Sequence, residues 1–224
     1  MAAKISIVIA DDHDLVGKSI AALLRSISDF EVVGECDNGR DLIEIVKQLH
    51  PGVAIVDLGM PGMNGAEVAR RLREISRSTR VIILSGYSDE ISVRETLDAG
   101  VAGYVVKRGA TSDLIRAIRE GTRNNVYLSA EVADVAQRAR TRNVHRSNEN
   151  SNPRPLSPRE REVLQLIVEG NTNKQVAAIL GITEATAKDH RRHIKEKLGI
   201  RDLPSLTRYA IGIGMIQPDV GNPA

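Results

Sequence analysis

The chain has 224 residues, of which 42% are hydrophobic and 27% charged, with a single cysteine at Cys36. This composition suits a soluble globular protein of one large or two ordinary domains, and it excludes an internal disulfide and a cysteine-rich zinc site. No apolar run approaches the ~18–20 residues that a membrane-crossing helix needs, and the amino terminus lacks a secretory pattern, so a cytoplasmic protein is expected. Charge is uneven: residues 1–122 hold 15 Lys+Arg against 18 Asp+Glu, net −3, and residues 123–224 hold 16 against 11, net +5. The two halves should therefore meet different partners.

From the amino terminus, Ile5–Ala10, Val53–Val56, Val81–Leu84 and Tyr104–Val106 are short, β-branched, nearly continuous apolar runs. Strands covered on both faces of a parallel sheet read this way. Glu31–Cys36 is more polar and suits an edge strand, with Cys36 as a small core residue on it. Amphipathic stretches at helical spacing fill the gaps: Leu15–Ile27, Arg40–Leu49, Ala66–Ile75, Glu90–Ala99 and Ser112–Gly121. Five β–α units in residues 1–122 predict a doubly wound α/β domain on a five-stranded parallel sheet.

The residues that end these strands carry the chemistry. The first strand runs into Asp11 and Asp12, the third into Asp57, the fourth into Ser85 and the fifth into Lys107. In an open parallel sheet all carboxyl ends lie on one edge, where ligands bind. A lone Asp after a strand is usually a turn former or a helix cap. Three carboxylates, a hydroxyl and an amine at successive strand ends are harder to dismiss. Crowded carboxylates repel unless a cation is present, and hard oxygen ligands without His or Cys favour Mg²⁺. A carboxylate can also attack phosphorus to form an acyl phosphate. Asp57 is the candidate nucleophile, Asp11 and Asp12 the metal ligands, and Lys107 and Ser85 the partners of the phosphoryl oxygens. Gly59, Gly62 and Gly65 leave backbone room beside it.

Ala10-Asp11-Asp12, Asp57-Leu-Gly-Met60-Pro61 with Gly65, Ile83-Leu-Ser85-Gly86 and Gly103-Tyr104-Val-Val-Lys107 resemble, in this order, the receiver domain of two-component response regulators. The resemblance covers residues 4 to about 122. It implies a flavodoxin-like fold, phosphate supplied by a phosphohistidine on a sensor kinase, and Ser85 and Tyr104 as a switch pair. In that switch the aromatic turns inward when the hydroxyl moves to the phosphate. It also implies that the Gly59 backbone carbonyl ligates the metal. One departure is Arg108-Gly109 after Lys107, where many receivers carry a proline.

Residues 123–155 read as a helical extension over Val126–Arg140, followed by a polar, flexible linker over Thr141–Pro155. From Leu156 the pattern is all helix through residue 218. Ser157-Pro-Arg-Glu160 is a capping box with proline at the first helical position, and Thr172-Asn-Lys-Gln175 is a second box. Gly181 breaks the second helix, Thr183 opens a third through Leu198, and Leu203–Gly212 forms a fourth. Two short helices joined by a tight glycine turn are a helix-turn-helix.

The third of these helices carries Lys188, Arg191, Arg192 and Lys195 at i, i+3, i+4 and i+7, with Ala185, Ala187, Ile194 and Leu198 available to face a core. A charge run on a helix is usually a solvated face, but within this arrangement it is a cationic ridge suited to a major groove. Leu156–Leu164, Asn173-Lys-Gln-Val-Ala177, Thr186-Ala-Lys188-Asp-His190 and Lys197-Leu-Gly199 resemble the LuxR-type helix-turn-helix of the NarL/FixJ subfamily. The DNA-contact candidates are Lys174, Thr186, Lys188, Asp189, Arg191, Arg192, Lys195 and Lys197. Ala187 replaces the usual valine. Asp189 stands outward where many members are apolar, and an acid there could accept from a cytosine amine.

The expectation is a phosphorylation-gated transcriptional regulator, not an enzyme, whose small all-α domain binds double-stranded DNA as a homodimer. An aspartate-nucleophile phosphatase is disfavoured because Gly59 stands where a second Asp would be needed. A constitutive DNA-binding protein is disfavoured by the complete acidic pocket.

Overall fold

The structure, a computed structural model, describes residues 4–86, 88–109, 111–145, 156–213 and 215–216. The elements of the first half are β1 (Ile5–Ala10), α1 (Asp14–Arg25), β2 (Phe30–Cys36), α2 (Gly39–Leu49), β3 (Val53–Asp57), α3 (Gly65–Ile75), β4 (Arg80–Ser85), α4 (Glu90–Asp98), β5 (Gly103–Val106), α5 (Thr111–Thr122), β6 (Tyr127–Leu128) and α6 (Ala130–His145). All strand pairings are parallel, in the order β2-β1-β3-β4-β5-β6. Successive strand side chains point to opposite faces, which splits the core in two. Ile7, Ile9, Val53, Ile55, Ile82, Leu84 and Val105 pack with Leu24 of α1 and Leu114 and Ile118 of α5. Val8, Val56, Ile83, Tyr104 and Val106 pack with Leu42, Val46, Val68, Leu72, Val93 and Val132 of α2, α3, α4 and α6. Each fully buried aliphatic side chain contributes roughly 1.5–3 kcal/mol.

The expected five-stranded sheet has a sixth member. Tyr127 and Leu128 pair with Gly103 and Tyr104 of β5, and only then does α6 begin. Asn124, left-handed at φ 64, turns the chain after α5. The hydrophobic spacing of Val126–Arg140 hid this two-residue strand inside a helical pattern. At the other end α6 runs on to His145, into the segment expected as linker. Residues 146–155 of that segment lie outside the described residues.

The second half is α7 (Pro158–Val168), α8 (Asn173–Leu180), α9 (Glu184–Leu198) and α10 (Leu203–Gly212), around a core that includes Val163, Leu164, Ile167, Val176, Ala187, Ile194, Leu206 and Ala210. Both predicted capping boxes form: Ser157 with Glu160, and Thr172 with Gln175. Thr183 and Asp202 cap α9 and α10; such caps stabilise a helix by about 1 kcal/mol each. Gly181 and Gly199, at φ 64 and 67, end α8 and α9 in the left-handed conformation that glycine adopts without penalty. Ala185 is exposed, not in the core as expected, because Ala187 already occupies the inward position of that turn.

The two halves touch where β3 meets α3. The Gln165 amide donates to the Met60 carbonyl at 2.7 Å and accepts from the Asn64 N–H at 3.0 Å. Glu169 accepts from the Gly62 N–H at 3.0 Å. Arg71 of α3 is ion-paired with Glu162, which also holds Arg159 at 2.8 Å. Gln165, Glu162 and Asn64 are buried by this contact or beside it. A helix of the second half therefore grips backbone groups three to seven residues beyond Asp57.

Candidate phosphoacceptor site and DNA-reading face

Strands β1, β3, β4 and β5 end on one edge of the sheet, and their last residues converge there. The Lys107 ammonium lies 2.8 Å from Asp11 Oδ2 and 3.1 Å from Asp57 Oδ1. Asp57 is 2% exposed, and its Oδ2 has no hydrogen-bond partner. Burial pushes the Asp57 carboxyl up to about 6; Lys107 works against that rise and Asp11 adds to it. Burial works to lower Lys107, but Asp57 and Asp11 outweigh it and the ammonium is held above its ordinary value. The result is a desolvated carboxylate with one oxygen held by a cation and the other buried without a hydrogen-bond partner.

Gly62 and Gly65 do not act as expected. A Cβ on Gly65 would come within 2.6 Å of the Asp57 carbonyl, so Gly65 lets α3 start directly against the end of β3. Gly62, at φ 72, makes a left-handed turn with open space around it. They shape the loop and do not make room at the carboxylate.

The pocket also contains a residue outside the predicted set. His13 stands at the N-cap position of α1 without a side-chain bond to the helix, and its Nδ1 is 2.9 Å from Asp12 Oδ1 and 3.5 Å from Asp11 Oδ1. Ligand atoms of Asp11, Asp12, His13 and Asp57 all lie within 4.8 Å of one another. The cluster is thus not purely oxygen, as its carboxylates alone suggested. Its adjacency in sequence to Asp12 was the only available signal.

Ser85 and Tyr104 are both buried, and their side chains are hydrogen-bonded to each other. Burial is also the main reason the Tyr104 hydroxyl is raised above its ordinary value. The ring is turned inward here, packed among Ile83, Val106 and Val132. Cys36 sits at the end of β2 with its thiol 3.7 Å from the Ile9 carbonyl, and burial pushes it up to about 11.

On the second half, Lys188, Asp189 and Arg192 are exposed along α9. Lys188 pairs with Glu184 at 3.2 Å and Arg192 with Asp189 at 3.3 Å, both one turn away on the same helix. Arg191 reaches Asn173 of α8 at 3.4 Å, and Lys174 is exposed at the start of α8. Lys195 is half-buried, and the Thr186 hydroxyl shares a hydrogen bond with Thr183 at the helix start. Lys197 departs from its expected place: its ammonium lies 2.6 Å from Glu160, inside the capping box of α7. A buried carboxylate outcompetes solvent for that amine, so Lys197 ties α9 to α7.

Comparison with known proteins agrees with this division. Residues 7–119 match the response regulator receiver domain, and residues 154–210 match the luxR family of bacterial regulatory proteins. The transcriptional regulatory protein MctR of Rhizobium johnstonii is 34% identical over 95% of this chain and 96% of its own. The nitrate/nitrite response regulator NarL of Escherichia coli is 35% identical over 88% and 90%. The chain is a DNA-binding response regulator of the NarL/FixJ type. Among solved structures, this response regulator resembles ChrA of a heme-sensing two-component system (31% identity, 93% and 97% coverage, TM-score 0.52). It also resembles RcsB of Salmonella enterica serovar Typhimurium bound to promoter rprA (26%, 92% and 98%, 0.64). Among the described residues, no helix of the regulator is long and apolar enough to cross a membrane.

The tie from Gln165 and Glu169 to the β3–α3 loop, and from Glu162 to Arg71, went unread in the sequence. All three face outward from α7 in its own domain pattern, and nothing local marks their partners.

Proposed function

We propose that Asp57 is the phosphoacceptor, that Asp11, Asp12 and the Gly59 carbonyl hold Mg²⁺ beside it, and that the regulator works in the cytoplasm as a dimer on DNA. The observation that carries this reading is the buried Asp57 carboxylate, with one oxygen on Lys107 and the other unpartnered. An orphaned buried oxygen among carboxylates fits a hard, oxygen-preferring cation. When bound, the cation would offset the mutual repulsion of the carboxylates and the incoming phosphoryl oxygens.

In the transfer, an Asp57 oxygen forms the bond to phosphorus as the bond from phosphorus to the imidazole nitrogen of the kinase phosphohistidine breaks. The electron pair leaves with that imidazole. Lys107 stays with the carboxylate edge and balances charge arriving on the phosphoryl oxygens. Ser85 turns its hydroxyl from Tyr104 to the new group, leaving the inward Tyr104 ring without that partner. Phosphorylation adds roughly −1.5 to −2 charges at a loop that Gln165 and Glu169 grip through its backbone. The loop is therefore the element that connects the phosphoryl group to the docked DNA-binding half. Releasing it frees α7 to α10 to pair on two half-sites about 10 bp apart. Lys188, near the start of α9, is placed for base edges, with Lys174 and Arg192 for phosphates.

The test is a small phosphodonor with Mg²⁺, followed by selection from random DNA. The protein should gain one acid-stable, base-labile phosphoryl group and then enrich a two-half-site sequence. Asp57→Asn should gain none. Normal labelling of that variant overturns the assignment.

A further inference from the structure

We propose that Glu131, in the first turn of α6, is a positioning residue that holds together the two loops following Ser85 and Lys107. It thereby couples the phosphoryl group on Asp57 to the helix that leads to the DNA-binding half. The proposal rests on the phosphoacceptor reading above and adds the route by which α6 senses that group.

Two sets of contacts lead to it. The Ser88 hydroxyl, three residues beyond Ser85, and the Arg108 guanidinium, next to Lys107, both donate to Glu131 Oε1, the second at 2.5 Å. One acceptor atom therefore fixes the separation of two loops. Those loops are joined at their roots, where the Lys107 N–H donates to the Ser85 carbonyl at 2.7 Å. The two donors hold the Glu131 carboxyl below its usual range, Ser88 more than Arg108. The segment entering α6 also touches Tyr104: Leu128 pairs with it in the sheet, the Ser129 N–H donates to its carbonyl at 3.0 Å, and Val132 shares its core cluster. The surroundings of Ser85, Tyr104 and Lys107 thus converge on one helical turn.

The seam behind that turn is built to open. Val132, Val135 and Ala136 of α6 pack in one cluster with Val93 and Leu97 of α4. Among the described residues, the buried side-chain oxygens without a hydrogen-bond partner belong to Asp11 and Asp57 in the pocket, to Ser92 and Thr96 on α4, and to Ser129 just before α6. Buried hydroxyls are normally paired, so elements that leave three unpaired separate more readily than satisfied ones. The Arg108 and Glu131 side chains are 66% and 45% exposed, and a pair so exposed holds weakly. That suits a contact which one phosphorylation must break. When the Ser85 hydroxyl turns to the phosphoryl group while Lys107 stays at the carboxylate edge, Ser88 moves relative to Arg108, and the two cannot both remain on one oxygen. A proline in place of Arg108 would have no donor for Glu131.

DNA affinity of the full-length protein for its selected site, measured by fluorescence anisotropy with and without a small phosphodonor, tests this. Without phosphodonor, Arg108→Ala and Glu131→Ala should each bind about fivefold more tightly than wild type. The double variant should bind no more tightly than either, because both break one contact. With phosphodonor all should reach the wild-type affinity. Arg108→Lys, which keeps a cation in reach, should behave as wild type. Both side chains are largely exposed, so the variants should fold. If Glu131 served only its own helix, through its charge near the N-terminus, Arg108→Ala would match wild type. If the two residues acted separately, their effects would multiply. Either result overturns the proposal. Failure of the phosphoacceptor reading would look different: the phosphodonor would leave wild-type DNA affinity unchanged, and Asp57→Asn would label normally.

Discussion

The phosphoacceptor pocket and the DNA-reading face both use charged side chains, yet they handle water in opposite ways. In the pocket, Asp11 and Asp57 are buried, share one lysine and leave an oxygen without a partner. On α9, Lys188 and Arg192 are more than half exposed and lean on Glu184 and Asp189 one turn away. Exposed pairs of that kind are held by ~1 kcal/mol or less and exchange readily for a DNA phosphate or base. Buried groups cannot exchange so cheaply. The difference teaches that the pocket stores free energy for a single reaction, whereas the reading face is built for reversible exchange.

The most severe way to break the pocket is Asp57→Asn, which should abolish the base-labile phosphoryl label, since an amide cannot form the acyl phosphate. The same variant measures the stored energy. Asp57 is raised from 3.8 to about 6 in the folded chain, so its ionised form opposes folding above that pH. Below about 4 the group is protonated both folded and unfolded, and the penalty vanishes. Without divalent ions, Asp57→Asn should be more stable than wild type at pH 7 by about 3 kcal/mol. The gain should shrink as pH falls from 6 to 4 in thermal melts. A constant gain would mean that charge burial is not its source.

The reading face should respond through DNA alone. Lys188→Ala should cost on the order of 1–3 kcal/mol on the selected site, relax base preference at one position and leave the melting temperature unchanged. Equal losses on selected and random DNA would reduce α9 to an electrostatic anchor. Between the two regions lies the Gln165 contact. Gln165→Ala should loosen docking and raise DNA affinity of the unphosphorylated protein about tenfold, read by gel shift. No rise would show that the contact does not restrain the DNA-binding half.

The smallest effect sharpens the boundary between the two kinds of site. Lys197 belongs with the buried pairs because it neutralises Glu160, a buried carboxylate held below its usual range; burial opposes that lowering, and Lys197 and Ser157 outweigh it. Lys197→Ala should cost about 1 kcal/mol of folding stability. The salt dependence of DNA binding should not change, whereas a true phosphate contact would flatten it by about one unit.

Much of this was legible in the sequence, and for a common reason. Strand runs, capping boxes and the glycines that end α8 and α9 act through neighbours within a few residues. Strand ends in a parallel sheet share an edge by topology, so Asp11, Asp57, Ser85 and Lys107 could be gathered before any coordinates. His13, Lys197 and Gln165 were misjudged or missed because a ring, an ammonium and an amide each choose a partner by what lies nearby in space. Sequence periodicity also has no way to separate two strand residues from the first turn of a helix, which is how β6 was hidden.

By itself, then, the sequence determined the order of elements, the two hydrophobic faces of the sheet, the helix caps and the residues at the strand ends, because these follow from chain-local sterics and a repeating pattern of side-chain direction. Only the tertiary structure decided the rest: that His13 joins the carboxylates, that Lys197 serves α7, and that Gln165 and Glu162 hold the loop beyond Asp57 and the helix that follows it. Those contacts join residues far apart along the chain, and their partners are fixed by packing, burial and competition for hydrogen bonds once the chain has folded.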